Sequence, residues 1–294
     1  MAKIIDGKVI SKVIKEEIKE KTKLLLEEKG IRPGLAVLLV GENPASQVYV
    51  RSKEKTASEL GFYSLVERVP DTISEEEVLN YVQKWNEDNK IHGILVQLPL
   101  PKHINESKVV NSIKPSKDVD GFHPENIGRL VIGLPGFIPC TPRGIMEMLK
   151  RSEIETSGKH VVVAGRSNIV GKPIANLLYQ KNENANSIVT IVHTGARDLS
   201  PYTLQADILI AAMGVPERIK ADDVRKGTVV IDVGINRVED PTREKGYRLT
   251  GDVAYKEVCQ KASAITPVPG GVGVMTVAML MQNTYDAAAG LLEY

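Results

Sequence analysis

Short apolar runs alternate with long amphipathic segments along the first hundred residues of this chain. Leu35–Val40 is an uninterrupted apolar run that ends at Gly41, which is typical of a strand covered on both faces. The segment 8–29 repeats apolar residues at helical spacing and stops at Gly30. Parallel strands need such helical crossovers, so the alternation predicts a parallel sheet with helices packed on it.

The same pattern predicts elements on both sides of a stretch rich in Pro and Gly at 114–142, which we interpret as an active-site loop and an interdomain connection. Before it lie helices at 46–60 and 74–89, the second opened by a capping box at Ser74–Glu77, and strands at 63–69 and 94–98. After it lie strands at 160–164, 188–193, 207–212, 228–233 and 265–268 and helices at 143–151, 170–181, 252–261 and from 274 onward.

The chain has 294 residues, a length that suggests about two domains. We predict an α/β domain at 1–140 and a second α/β domain at 141–274, with the helix 275–294 packing back on the first. The formal net charge of +1 argues against a protein that binds nucleic acid or anionic membranes. No apolar run reaches transmembrane length, and we expect no export signal.

The two cysteines, Cys140 and Cys259, are isolated in the sequence. Neither has a Cys or His at metal-ligand spacing, so we predict no metal site. We interpret both as reduced bystander thiols of a cytoplasmic protein.

A glycine turn follows the strand at 160–164, in the segment Gly165–Gly171. A strand, a glycine turn and a helix place an anion at the helix N-terminus. The spacing matches neither G-x-G-x-x-G nor a Walker A loop, so an ordinary tight turn stays open. The next strand ends at His193–Arg197, with a hydroxyl and an arginine but no acidic residue. Together with Arg166 this favours NADP over NAD, unless the arginines are merely solvated.

A second cluster carries groups that can transfer protons. Ser46, Tyr49 and Lys53 stand at i, i+3 and i+7 of one predicted helix and so share one stripe. Gln97 ends an apolar strand, where its amide needs a partner. Burial would let Lys53 act as acid or base, whereas the alternative is a lysine that extends its amine to water. The segment Asp118–Gly121 places two carboxylates beside a glycine, which is typical of a turn or of a loop for a hard cation. Cation binding needs more oxygen ligands than this segment offers.

Six motifs in order resemble the bifunctional methylenetetrahydrofolate dehydrogenase/cyclohydrolase family, and the similarity runs from Ile5 through the last helix. The motifs are Tyr49–Lys53, Gln97–Pro101, Asp118–Gly121, Pro139–Pro142, Gly165–Gly171 and Pro267–Gly273. Val274 departs from the family, which commonly has proline there, and Thr194 stands where serine is frequent.

The resemblance implies two α/β domains, the second a Rossmann-type NADP-binding domain, with an active-site cleft between them. It implies NADP-dependent oxidation of 5,10-methylenetetrahydrofolate and hydrolysis of the methenyl product to 10-formyltetrahydrofolate. It further implies tetrahydrofolate derivatives as substrates, a cytoplasmic homodimer, and a role in one-carbon metabolism that serves purine biosynthesis.

The resemblance also assigns the site. Lys53 would move the proton in hydrolysis, Gln97 would orient Lys53, Tyr49 would stack along the folate, and Asp120 would bind the pterin. The remaining substrate-binding positions are Ser46, Leu98, Pro99, Pro267, Gly270 and Gly271, and the cofactor-binding positions are Gly165, Arg166, Ser167, Thr194 and Ile235.

The sequence alone leaves two other functions open. One is a different two-domain NADP-dependent dehydrogenase that acts on an amino or hydroxy acid; the Tyr-Lys stripe with Gln97 separates the two. The other is a nucleotide-sensing module without turnover, whose expected mark is the loss of Lys53.

Overall fold

The computed structural model describes residues 2–243 and 246–292, and its contacts divide the chain into two compact units. One unit comprises Lys12–Cys140 and Val277–Tyr294, and the other comprises Met1–Ser11 and Thr141–Thr276. We call them the three-stranded unit and the six-stranded unit, after their parallel sheets.

Helices and strands alternate along most of the chain. In chain order they are β1 (Lys3–Ile4), α1 (Gly7–Lys29), β2 (Gly34–Val40), α2 (Pro44–Glu59), β3 (Tyr63–Val69), α3 (Glu75–Glu87), β4 (Gly93–Val96), α4 (Glu106–Ser112), α5 (Pro124–Ile132), α6 (Cys140–Arg151), β5 (His160–Ala164), α7 (Gly171–Tyr179), β6 (Ile188–Val192), α8 (Ser200–Thr203), β7 (Ile208–Ala211), β8 (Val229–Asp232), β9 (Asn236–Glu239), β10 (Tyr247–Thr250), α9 (Tyr255–Val258), β11 (Ala264–Ile265) and α10 (Val272–Ala289).

The sheet of the three-stranded unit has the order β3-β2-β4, and its strands are parallel. All residues of β2 are buried, as expected for a central strand with helices on both faces. Because β2 has β3 on one side and β4 on the other, the chain reverses its winding at β2. In open α/β sheets ligands bind at the carboxyl ends of the strands at such a switch point.

The sheet of the six-stranded unit has the order β1-β11-β8-β7-β5-β6, and every pair is parallel. Its switch point is β5, which lies between β6 and β7. Its core is aliphatic, with Val162, Leu209 and Val230 completely buried in the central strands. This is the Rossmann-type arrangement that the second βα series predicts.

The N-terminal residues differ from the sequence expectation. Lys3 and Ile4 pair with Ala264 and Ile265 at the edge of the six-stranded sheet, so residues 1–11 group with that unit. A two-residue strand carries too little periodicity to be recognised in a sequence.

The stretch 114–142 ends at the boundary between the two units, as expected for an interdomain connection, but the expectation of a loop throughout is wrong. It contains all of α5 and the first turn of α6. Pro124 occupies the first turn of α5, and Gly133 ends the helix in the left-handed conformation with φ 75°. Both residues are capping signals, because proline fits the first helical turn and glycine fits the position after the last.

Two further elements escape the pattern, while the predicted capping box is confirmed. Strands β9 and β10 form an antiparallel hairpin in a segment that has little apolar alternation. The guanidinium of Arg237 lies 4.7 Å from the ring centroid of Tyr247 across this hairpin. At α3, the Ser74 hydroxyl accepts from the Glu77 amide, and the Glu77 carboxylate accepts from the Ser74 amide.

Candidate active site

Lys53 lies on α2, directly beyond the carboxyl end of the central strand β2. Its side chain faces inward, and the residue is only 8% exposed. The Nζ atom donates to Oε1 of Gln97 at 2.9 Å. The backbone N–H of Gln97 donates to the backbone carbonyl of Leu38 at 2.9 Å. This bond extends the pairing of β4 with β2. Lys53 and Gln97 therefore meet at the switch point of this sheet. This agrees with the expectation that Gln97 orients Lys53.

The surroundings of Lys53 favour its neutral form. Burial lowers the pKa of the Lys53 amine, and the neighbouring Asp120 and Cys140 oppose that shift only in part. Burial likewise raises the pKa of the Asp120 carboxyl, against the opposing effects of Lys53 and of a hydrogen bond with Cys140. Desolvation penalises the charged form of each group, and their attraction only partly restores it. The two pKa values are thus shifted toward each other, which suits the cluster to accept and return a proton.

The two carboxylates of Asp118–Gly121 have different tasks. Oδ2 of Asp118 accepts from the His123 amide at 2.7 Å and from Nδ2 of Asn126 at 2.9 Å. It thereby fixes the start of α5, and burial raises its pKa to about 7. Asp120 is the carboxylate that faces Lys53.

Cys140 lies in this cluster, and its interpretation as a bystander thiol stays a prediction. The residue is 1% exposed, and its thiol is hydrogen-bonded to the Asp120 carboxyl and lies 3.4 Å from the carbonyl of Val119. Cys140 follows Asp120 by 20 residues and is brought back by the turn at Gly121, where a Cβ would lie 2.6 Å from the nitrogen of Pro139. Nothing in the local sequence signals this contact.

Asn283 on α10 is a second residue that sequence reasoning missed. It is completely buried, and its Nδ2 donates to the carbonyls of Val119 at 2.7 Å and Ile138 at 3.0 Å. The amide also lies 3.6 Å from Sγ of Cys140. One side chain thus clamps the two backbone segments that carry Asp120 and Cys140.

The other predicted folate-binding residues of this unit flank the cluster. Ser46 is buried in the first turn of α2, whereas Tyr49 is exposed, which leaves the phenol ring free to meet a ligand. Nε2 of Gln97 donates to the carbonyl of Leu98 at 2.8 Å. The peptide bond between Leu98 and Pro99 is cis.

The glycine turn after β5 opens the six-stranded unit. Gly165 has φ 145°, and a Cβ at this position would lie 2.2 Å from the carbonyl oxygen of Ala212. Only glycine fits there, because the loop after β7 packs directly on this turn. Arg166 is exposed. The Ser167 hydroxyl accepts from the amides of Val170 and Gly171 at 3.2 Å each, so it caps the start of α7.

The remaining cofactor positions follow the carboxyl ends of two other strands of this sheet, β6 and β8. Thr194 follows β6 and is exposed, and Ile235 follows β8 and is 44% exposed. Ile235 packs on the start of α10, because a Cβ at Gly273 would lie 2.5 Å from Cδ1 of Ile235.

The segment Pro267–Gly271 belongs to the six-stranded unit and packs on the N-terminal residues of that unit. A Cβ at Gly271 would lie 2.5 Å from the carbonyl oxygen of Pro267. A Cβ at Gly7 would lie 2.1 Å from the carbonyl oxygen of Gly271. Gly270 has φ 108°. The glycines at 270 and 271 therefore serve a tight backbone contact, and their role toward substrate stays a prediction.

Among residues 2–243 and 246–292, no group of three or more His, Cys, Asp or Glu side chains is arranged to hold a metal ion. Within the same residues, none of the helices has both the length and the apolar character needed to cross a membrane.

One unit thus carries a buried lysine at the switch point of a parallel sheet, and the other carries a glycine turn at the switch point of a Rossmann-type sheet. This combination defines a two-domain α/β nucleotide-dependent enzyme. The chain belongs to the tetrahydrofolate dehydrogenase/cyclohydrolase family: the family's catalytic-domain model matches residues 5–120, and its NAD(P)-binding-domain model matches residues 139–291.

Relatives match over nearly the whole chain. The bifunctional protein FolD of Chlorobium phaeobacteroides strain BS1 is 56% identical over 286 residues, which is 97% of this chain and 96% of that protein. The crystal structure of the bifunctional enzyme FolD, methylenetetrahydrofolate dehydrogenase/cyclohydrolase, from Campylobacter jejuni has a TM-score of 0.93 at 49% identity and covers 99% of this chain and 100% of its own.

The FolD structure from Trypanosoma brucei, complexed with NADP cofactor and inhibitor, has a TM-score of 0.93 at 40% identity and covers 99% of this chain and 98% of its own. The predicted family and fold class are therefore confirmed. A bifunctional dehydrogenase and cyclohydrolase is favoured over a dehydrogenase of amino or hydroxy acids and over a nucleotide-sensing module.

The clamp by Asn283 leads to a first prediction. Replacing Asn283→Leu leaves two buried carbonyls without their donor, so we expect the free energy of unfolding to fall by about 1–3 kcal/mol. Urea unfolding measures this change. Lys55→Ala, at an exposed position of α2 in the same unit, serves as the control and is expected to change stability by about 0.5 kcal/mol or less. Equal stability of Asn283→Leu and the parent would contradict the assigned clamp.

Proposed function

We propose that the chain oxidises 5,10-methylenetetrahydrofolate with NADP⁺ to the 5,10-methenyl cation and then hydrolyses this cation to 10-formyltetrahydrofolate, with Lys53 as the proton carrier of the second reaction. Family membership supports the two reactions. The observation that supports the role of Lys53 is its buried amine, 2.9 Å from Gln97 Oε1 and with a pKa lowered by burial.

Hydrolysis needs a group that takes up a proton and returns it. Water adds to the methenyl carbon and loses a proton, which gives a neutral carbinolamine. The bond from that carbon to N5 then breaks as N5 is protonated and the hydroxyl group gives its proton to solvent to form the formyl C=O, so the reaction releases one proton overall. A lysine kept largely neutral by burial can accept the first proton and donate the second. Gln97 holds the amine in one place, and Asp120 stabilises the ammonium ion that forms between the two transfers.

Oxidation makes fewer demands on the side chains. The nitrogens of the folate stabilise the cation that forms when hydride leaves the one-carbon bridge, so no protein base is required. Bound NADP⁺ supplies the hydride acceptor. The contribution of the protein is orientation of the two reactants. The cleft that the resemblance implies stays a prediction.

The residues of the six-stranded unit fit a phosphorylated dinucleotide. The turn at Gly165 leads into the N-terminus of α7, where the helix dipole favours a phosphate. The Ser167 hydroxyl accepts from the amides of Val170 and Gly171 and keeps its own O–H to donate to a phosphate. Arg166 and Thr194 are exposed at this edge of the sheet, and no acidic residue lies between Val192 and Arg197. A carboxylate there would hold the ribose hydroxyls of NAD, and its absence favours the 2′-phosphate of NADP. We assign the phosphates to Gly165, Arg166 and Ser167, the ribose phosphate to Thr194 and the nicotinamide to Ile235.

The folate is assigned to the cluster around Lys53. Asp120 suits the amino and ring N–H groups of the pterin, because a carboxylate accepts hydrogen bonds from adjacent donors. The exposed ring of Tyr49 suits stacking along the folate. We keep Ser46, Leu98 and Pro99 as further substrate contacts, together with Pro267, Gly270 and Gly271.

The edge of the six-stranded sheet supports a homodimer. Strand β6 is the outermost strand, and its Ile188 and Ile191 are 65% and 43% exposed. An apolar edge strand invites pairing with another strand, and two copies of one strand pair antiparallel about a twofold axis. We therefore place the dimer contact at β6.

We also place the enzyme in the cytoplasm, in a pathway that provides one-carbon units for purine biosynthesis. Both cysteines are free and buried thiols, which is typical of a reducing compartment. The product 10-formyltetrahydrofolate carries an activated formyl group that formyl-transfer reactions consume.

The role of Lys53 leads to a direct test. Lys53→Met keeps the volume but removes the proton carrier, so hydrolysis of the methenyl substrate should slow by about 10²- to 10⁴-fold, while the Kd for NADP stays unchanged. The absorbance of the methenyl substrate measures the rate of hydrolysis, and calorimetry measures the Kd for NADP. The control is Lys55→Met, whose side chain is exposed on the same helix. Hydrolysis at the parent rate in Lys53→Met would refute the assignment.

The choice of cofactor depends on Arg166. In Arg166→Ala we expect NADP to lose about tenfold or more in affinity and NAD to lose much less, because only NADP carries the 2′-phosphate. Titration of both nucleotides measures the ratio. Arg225→Ala is the matched control, since Arg225 pairs with Asp207 at 2.6 Å before the amino end of β7. Equal losses for the two nucleotides would show that Arg166 does not contact the 2′-phosphate.

The dimer contact is tested by charge at the edge strand. Ile191→Lys places an ammonium group in the proposed β6 contact, and light scattering should show monomers at concentrations where the parent is a dimer. Ile132→Lys, at an exposed position of α5, should leave the dimer intact. A dimeric Ile191→Lys protein, or a monomeric parent, would contradict the proposed contact.

A further inference from the structure

The segment Thr250–Val253 of the six-stranded unit has no role in the two proposed reactions, yet it carries a completely buried carboxylate, Asp252. Its Oδ2 accepts from the amides of Met213 at 2.6 Å and Gly214 at 2.9 Å. Its Oδ1 accepts from the Val215 amide at 3.0 Å and from Nδ2 of Asn236 at 2.9 Å. Four donors thus converge on one side chain, which compensates for the cost of burying it.

A second buried carboxylate, Asp232 at the end of β8, holds the backbone on which Asp252 stands. Its Oδ1 accepts from the amides of Gly234 at 3.0 Å and Asp252 at 2.9 Å, and its Oδ2 accepts from the Val253 amide at 3.0 Å. The two carboxylates pack so closely on Gly251 and Gly234 that no side chain fits at either position. A Cβ at Gly251 would lie 1.7 Å from Asp232 Oδ2, and one at Gly234 would lie 2.3 Å from Asp252 Oδ1.

The loops that Asp252 holds are those that follow β7 and β8. The loop after β7 reaches the glycine turn after β5, because the carbonyl oxygen of Ala212 is the atom that a Cβ at Gly165 would strike. Ile235 stands between Gly234 and Asn236, and both of these neighbours are in the network. Carboxyl ends of adjacent strands at a switch point are where a dinucleotide binds.

From this arrangement we propose that Asp252 is a positioning residue for the cofactor: its carboxylate locks the loop 213–215 and the segment 234–236 in the conformation that binds the nicotinamide half of NADP. The proposal rests on the proposed function. Asp252 itself touches no cofactor, since its oxygens are filled by protein donors. The amides of 213–215 point at Asp252, so the loop contributes shape and not phosphate binding.

Asp252→Asn is the test, because it keeps the size of the side chain and turns one acceptor into a donor. The new NH₂ group then faces two N–H donors, so two of the four hydrogen bonds are lost whichever way the amide turns. If only about a tenth of the molecules keep the loop in its binding-competent conformation, the Kd for NADP rises about tenfold. We expect this rise by calorimetry well below the melting temperature, with a matching rise in the KM for NADP.

Two controls separate positioning from folding. Hydrolysis of the methenyl substrate, which consumes no nicotinamide, should stay within about twofold of the parent, because Lys53, Gln97 and Asp120 lie in the other unit and the network of Asp252 contains none of the substrate contacts assigned above. Asp222→Asn, at an exposed carboxylate of the same unit, should leave the Kd for NADP unchanged.

A purely structural role would lower the melting temperature of Asp252→Asn without changing its affinity for NADP, and that result would overturn the proposal. If Asp252→Asn does not fold, Asn236→Ala decides, since it removes a single donor and keeps the carboxylate. A rise of about twofold or more in its Kd supports the proposal, and the parent value overturns it. A parent that binds no NADP would instead overturn the proposed function, and this inference with it.

Discussion

The burial of one lysine amine against one glutamine is the constraint on which the rest of the three-stranded unit depends. An amine without solvent needs a fixed acceptor, and Gln97 Oε1 at 2.9 Å provides it. That contact requires α2 to start at the end of β2 and requires β4 to pair beside β2, which is what the order β3-β2-β4 achieves. The strand order of this sheet therefore determines which side chain meets the buried lysine.

The two units apply the same architectural rule to different chemistry. Each has a parallel sheet whose winding reverses at one strand, β2 in one unit and β5 in the other. At β2 the resulting edge carries two titratable groups with shifted pKa values, Lys53 and Asp120. At β5 it is lined by backbone, with Gly165 packed on the carbonyl of Ala212. Proton transfer needs side chains with shifted pKa values, whereas a dinucleotide needs a close approach of the backbone.

Buried carboxylates stabilise the loops at both edges. Asp118 fixes the start of α5 through His123 and Asn126, and Asp232 and Asp252 fix the loops that follow β7 and β8. Burial raises the pKa of Asp118 and of Asp232 to about 7. A carboxyl with a raised pKa stabilises the folded state fully below its unfolded pKa, and this contribution is lost as the pH rises toward 7.

Local periodicity was sufficient to predict most strands and helices, because their buried faces repeat at fixed spacing. It was also sufficient to bring Lys53 and Gln97 together, because both follow strands whose carboxyl ends meet. The helix α5 was missed because its caps, Pro124 and Gly133, resemble the residues of a loop.

Cys140, Asn283 and Asp252 were missed for another reason. Their partners are distant in the sequence: Asn283 meets Val119 across 164 residues, and Asp252 meets Met213 across 39. No local pattern encodes such pairs, and only the folded chain shows which of two neighbouring aspartates faces the lysine.

Titration of the Lys53 amine is the sharpest test of the proton chemistry assigned to it. Lysine labelled with ¹³C and ¹⁵N can be followed by NMR across the alkaline range, and the spectrum of Lys53→Met identifies the resonance of Lys53. We expect a midpoint clearly below the ordinary value of 10.5, since burial lowers the pKa of this amine. A midpoint at the ordinary value, together with those of the exposed lysines, would contradict a lysine kept neutral by burial.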